Sequence, residues 1–82
     1  MTTVDRIYST EEHPEATNSP FTVVIKDDEL WTMRLCCEEI ELTAQHCYLI
    51  SGGKVTAALP PSLAEAIISK AKGLDIHISD HR

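Results

Sequence analysis

The sequence predicts an α+β fold: a small antiparallel β-sheet built from two hairpins, one C-terminal α-helix packed on it, and a short final strand. Three features carry that prediction. Trp31, Met33 and Leu35 alternate with Thr32 and Arg34, the period of a half-buried strand. Adjacent Gly52 and Gly53 separate two apolar runs, and glycine supplies the positive φ that a tight hairpin turn needs. Pro60-Pro61-Ser62 opens an alanine- and isoleucine-rich segment of helical period.

At 82 residues the chain is long enough for one domain, near the lower limit for a core that folds unaided. The expected division is an N-terminal arm over residues 1–20, partly flexible, followed by a single α+β domain over residues 21–82. In the arm, Val4, Ile7 and Tyr8 are able to pin a short strand or turn to the body. Ser9 to Pro20 is polar, holds two prolines and lacks any large apolar side chain, so it reads as a loop.

Phe21 to Lys26 is β-branched and bounded by Pro20 and by Asp27-Asp28-Glu29, which predicts a strand with a turn behind it. Together with Leu30 to Cys36 it makes an antiparallel hairpin. Beyond Cys36 the alternation slips phase: Ile40, Leu42 and Ala44 continue it on even positions, and a bulge over residues 37–39 would absorb the slip. Leu30, Met33, Cys37, Ile40, Ala44 and Cys47 also fall at helical spacing. Trp31, Thr32, Ile40 and Thr43 favour the strand.

Cys47 to Ile50 and Val55 to Leu59 form the second hairpin around Ser51-Gly52-Gly53-Lys54. A helix is expected over residues 62–72, with Ser62 as its cap and Glu65 completing a capping box. Ser62, Glu65, Ser69 and Lys72 make its polar stripe, and Leu63, Ala64, Ala66, Ile67, Ile68 and Ala71 its buried side. Gly73 ends it. Leu74, Ile76 and Ile78 then alternate with Asp75, His77 and Ser79 as a last strand.

The chemistry-bearing residues crowd one stretch: Cys36, Cys37, Glu38, Glu39, His46 and Cys47. A structural zinc site wants short-spaced ligand pairs on turns. Neighbouring Cys36 and Cys37 instead point to opposite faces of a strand. A redox pair would want C-x-x-C at a helix start, which is missing. The expectation is that Cys36 or Cys37, together with Cys47, are small buried hydrophobes. No activating partner stands at a recognisable spacing from Ser51 or Cys47, and the frame of a phosphate-binding loop is absent around Gly53-Lys54. The chain is expected not to be an enzyme and to use no cofactor and no metal.

Charge points elsewhere. The net charge is −6, and residues 1–53 carry ten acids against three bases, a balance of −7. Such a surface repels a phosphate backbone, so no direct nucleic-acid contact is expected. It suits a basic protein surface instead. The acids Asp27, Asp28 and Glu29 at the first hairpin tip, and Glu38, Glu39 and Glu41 near the phase slip, are the expected partner-binding residues. Three cysteines, with no apolar core of a signal peptide and no run near the ~20 apolar residues of a membrane helix, point to a cytoplasmic protein without a membrane segment.

The Met1-Thr2-Thr3 start with Ile7 and Thr10 before a polar stretch, the acid-followed hairpin, the helix from Pro61 to Ala71 and the ending Ser79-Asp80-His81 are similar in order to a known family. They resemble the small acidic phage-encoded anti-CRISPR proteins that inhibit type I surveillance complexes. The likeness covers the first ten and the last twenty residues, and the cysteine-bearing middle departs from it. It implies an inhibitor that binds a nucleic-acid-binding subunit of the complex in the host cytoplasm and blocks DNA recruitment by presenting carboxylates. The alternative from the residues alone is a small regulatory or antitoxin-like module that dimerises through a sheet edge.

Overall fold

The structure, a computed structural model, describes residues 2–9, 19–28 and 30–82. The loop expected from Ser9 to Pro20 lies outside the described residues between Thr10 and Asn18, as does Glu29 at the hairpin tip.

The first correction concerns the sheet, because there are two. Strands β1 (Thr2–Ser9), β2 (Phe21–Asp27) and β3 (Trp31–Cys37) form an antiparallel sheet in the order β1-β2-β3. Strands β4 (Glu39–Leu42), β5 (Cys47–Ser51), β6 (Lys54–Leu59) and β7 (His77–Asp80) form a second sheet in the order β6-β5-β4-β7. The second sheet is mixed, since β7 runs parallel to β4 rather than antiparallel. The phase slip after Cys36 therefore marks a change of sheet. The chain leaves the first sheet at Cys37, bends at Glu38 and enters the second at Glu39, so the inward parity resets. No helix forms over residues 37–46.

β2 is the central strand of its sheet and is buried on both faces, which explains its unbroken apolar run. Residues directly opposite across an antiparallel pair share a face. Val23 and Ile25 thus lie on the inner face with Ile7 and Val4 of β1 and with Leu35 and Met33 of β3. On the other face Tyr8, Thr22 and Val24 are buried as well, with the Arg6 guanidinium 4.7 Å from the centre of the Tyr8 ring. Because Val4 and Ile7 belong to the core and Thr2–Ser9 pairs along β2, residues 2–9 are part of the folded body.

Between the sheets lies one core. Val4, Ile7, Val23, Ile25 and Cys37 of the first sheet meet Ile40, Leu42, Cys47, Leu49 and Leu59 of the second. Leu63, Ala64, Ile67 and Ala71 supply the helix's share of it, on the predicted side, with α1 (Ala64–Lys70) resting against β1.

The capping box does not form, which is the second correction. Pro61–Leu63 is a 3-10 turn, and the N–H groups of Leu63 and Ala64 donate to the carbonyls of Pro60 and Pro61. Those carbonyls already satisfy donors that a side-chain cap would serve. Ser62 consequently makes no cap, and Glu65 is bound by Arg82 instead. The stop at Gly73 holds, with φ at 88°. The second hairpin also stands as predicted, with Gly52 and Gly53 at φ 61° and 75°. No helix among the described residues is long and apolar enough to cross a membrane.

Candidate partner-binding surface

At the tip of the β2–β3 hairpin, Asp27 closes β2 and its carbonyl accepts a hydrogen bond from the Leu30 N–H at 2.7 Å. Asp28 follows with φ at 42°, a left-handed conformation that aspartate tolerates better than most residues. The apolar side chains beside it are open to solvent. Leu30 is 80% exposed, Trp31 43% and Met33 48%. Thr32 and Arg34, on the opposite face, are exposed too, so four successive residues of β3 project beyond the core.

The strand assignment of residues 31–37 is correct, yet its burial is graded. Cys37 is buried and Leu35 half-buried, and exposure increases from there to the tip. Alternation alone assigns Trp31 and Met33 to the core face, which is the right face but a part of it that the described residues cover only in part. Leu30, Trp31 and Met33 are therefore surface residues that the sequence reading missed. The available signal was Leu30, an apolar residue directly behind three acids and outside the alternation.

β3 is also the least protected strand edge of the described residues. β1 is interrupted by a bulge at Asp5, whose carboxylate lies 3.4 Å from the Lys26 ammonium. β6 carries a bulge at Thr56, whose hydroxyl donates to the Leu49 carbonyl. β7 is four residues long. β3 spans seven residues in unbroken register with β2 and has no bulge or proline, Arg34 being its one charged side chain. Bulges, prolines and short length are the usual means by which proteins blunt an open edge.

The second acid set is placed differently. The Glu38 carboxylate accepts a hydrogen bond from the Gly52 N–H at 2.9 Å, while its own N–H donates to the Ile50 carbonyl at 2.8 Å. It is thereby tied to the β5–β6 turn. Glu39 and Glu41 lie on the outer face of β4, half-buried, opposite in parity to the core residues Ile40 and Leu42. Glu41 stands 3.6 Å from His81 Nε2 and pairs in register with Tyr48 and Ser79.

The structure does not bring the two sets together. They sit at opposite ends of β3, about 20 Å apart at the rise of ~3.3 Å per residue of an extended strand. Asp27 and Asp28 share their surface with apolar side chains, whereas Glu39 and Glu41 share theirs with His77, Ser79 and His81.

Two of the three cysteines, Cys37 and Cys47, are core residues. Cys37 and Cys47 are fully buried in the shared cluster, and Cys36 faces the other side of β3 with its Sγ 3.8 Å from the Thr22 hydroxyl. Burial, and secondly the neighbouring Cys36, pushes the Cys37 thiol up to about 12. Burial likewise raises that of Cys47, whose Sγ lies 3.5 Å from the Pro60 carbonyl. His46 is exposed, its ring tilted against that of Tyr48 with ring centres 5.4 Å apart.

The chain matches no family, no characterised protein sequence and no solved structure.

Proposed function

We propose that this protein is a protein-binding inhibitor whose contact surface is the β2–β3 hairpin and whose partner presents a basic surface. The observation that supports this most is the placement of Asp27 and Asp28 beside exposed Leu30, Trp31 and Met33 on one projecting tip. An aromatic and a flexible apolar side chain give contact area, and the carboxylates give orientation and association rate. Exposed apolar groups at a projecting position gain nothing for the fold and gain free energy when a partner covers them.

Read with the anti-CRISPR resemblance, the partner is a nucleic-acid-binding subunit of a type I surveillance complex, and the acids stand in for the phosphates of DNA. Mixing the purified protein with such a complex tests this directly. Co-elution, and loss of target-DNA recruitment that the Trp31→Ser variant weakens at least ~10-fold, is the expected result. Absence of both co-elution and any loss of DNA recruitment would remove the inhibitor reading.

A further inference from the structure

The outer face of the first sheet, opposite the core, gathers the positive charge of residues 1–53. Register places Arg6, Val24 and Arg34 in one row across β1, β2 and β3. On either side lie the rows Thr3-Lys26-Thr32 and Tyr8-Thr22-Cys36. Arg6, Lys26 and Arg34 are the three bases of a segment that carries ten acids, and all three stand on this one face. They are exposed, while Val24 between them is buried. Long basic side chains cover apolar neighbours with their stems and keep their charged heads in water.

The three heads differ in what they already hold. The Lys26 ammonium has the Asp5 carboxylate at 3.4 Å. Arg6 and Arg34 have no ion pair among the described residues, although the chain holds 13 acids against seven bases. Arg6 lies over the Tyr8 ring, 4.7 Å from its centre. Stacking engages the flat of a guanidinium and leaves its N–H edge free to donate.

We propose that Arg6 and Arg34 together bind a phosphorylated serine or threonine side chain of a peptide laid on this outer face. The two residues are two strand spacings apart, roughly 10 Å between Cα atoms, a separation that two arginine arms bridge around one anion. Each guanidinium offers a planar fork of donors that matches phosphate oxygens. Two unpaired positive charges balance the charge of about −2 on a phosphorylated side chain near neutral pH. A carboxylate would leave one of them unmatched, and the net charge of −6 opposes a long polyanion. No cavity opens among the described residues to enclose a free phosphate or a nucleotide. A peptide adds contact along Thr3, Lys26 and Thr32. The site does not rest on the inhibitor reading, since it faces away from Trp31 and Met33.

The test titrates the 15N-labelled full chain with a blocked five-residue peptide holding one phosphoserine between threonines. The unphosphorylated peptide and inorganic phosphate are the comparisons, and the Nε–H resonances of Arg6 and Arg34 report the contact. The phosphopeptide should bind saturably and shift both resonances, and each comparison should bind at least ~10-fold more weakly. Arg6→Lys and Arg34→Lys retain the stem and the charge but lose the fork, and each should weaken the phosphopeptide at least ~5-fold. Lys70→Gln, on the exposed side of α1, should change it less than ~2-fold. Equal binding of the two peptides, binding indifferent to both lysine variants, or no saturable binding overturns the proposal. Inorganic phosphate binding as tightly as the phosphopeptide overturns it in favour of a free anion.

Discussion

The Glu38 carboxylate accepts the Gly52 N–H at 2.9 Å and so fastens the β5–β6 turn to the crossover between the two sheets. One of the six acids expected to serve a partner thus has a task within the fold. A charge-assisted bond at an exposed site lies at the lower end of its range, so Glu38→Ala should cost about 0.5–1.5 kcal/mol. Glu39→Ala, beside it but facing outward, should stay within about 0.5 kcal/mol. Urea unfolding of both variants measures the difference. Equal stability would show that the bond contributes nothing.

The start of the helix gives a second contrast. Ser62 lies exposed within the 3-10 turn and caps nothing, so Ser62→Ala should change stability by less than about 0.5 kcal/mol. Ile67 is fully buried between the sheets, and Ile67→Ala should cost about 2–5 kcal/mol. A costly Ser62→Ala in thermal unfolding would restore the capping box.

The latch at the end of β7 titrates in acid. Three donors of Arg82, its Nε, its Nη2 and its backbone N–H, reach Asp80 at 2.9, 2.8 and 3.1 Å. Chiefly through the side-chain bonds, they lower the Asp80 carboxyl from 3.8 to about 2. A carboxyl depressed on folding adds stability that is complete above its unfolded value and is lost as pH falls through its folded value. The contribution should therefore fade between 3.8 and about 2. Asp80→Asn should flatten the stability profile in that window and leave its shape above it unchanged. Identical acid limbs for the two proteins would contradict the geometry.

Cys37 moves the other way. Its thiol lies above its ordinary value of 9.0, at about 12, so the folded state keeps a proton that the unfolded chain releases. Its contribution is complete below 9.0 and is lost as pH rises toward about 12. Cys37→Ala should be less stable near neutrality and show a shallower alkaline decline. In the native protein at neutral pH, alkylation should reach half-exposed Cys36 before buried Cys37 and Cys47. Modification of Cys37 first, without unfolding, would place that thiol outside the core.

What the sequence made legible was local. Gly52-Gly53, the apolar run of Phe21 to Ile25 and the buried side around Ile67 each state their structure within a few residues, and each formed. The division into two sheets was not legible, because a parity slip at Cys37–Glu39 has the same pattern whether a strand bulges or changes sheet. Ser62 was misread because a serine three residues before a glutamate describes a capping box only when no preceding carbonyl takes the same N–H groups, and Pro60 and Pro61 supply those carbonyls. At the candidate surface, charge draws attention to Asp27 and Asp28 from the sequence alone. The exposure of Trp31 and Met33 depended on where the core ends, which no spacing encodes.

The distance between the two acid sets makes the charge hypothesis separable. About 20 Å of β3 divides them, well beyond the ~8 Å screening length at physiological salt. A partner docked on the hairpin feels Asp27 and Asp28 directly and Glu39 and Glu41 weakly. Asparagine retains the shape of both aspartates and tolerates the left-handed backbone at Asp28. Asp27→Asn with Asp28→Asn should therefore leave the fold intact while weakening the partner complex at least ~30-fold, or about 2 kcal/mol. Glu39→Gln with Glu41→Gln should weaken it less than about 3-fold. Raising salt from about 0.05 to about 0.5 M should weaken the wild-type complex more than the Asp27→Asn, Asp28→Asn complex, because only the former has those charges to screen. Titration calorimetry against the purified surveillance complex reads all three. If the β4 pair proves the stronger, the contact belongs on the outer face of the second sheet with His77, Ser79 and His81, and the hairpin loses its role.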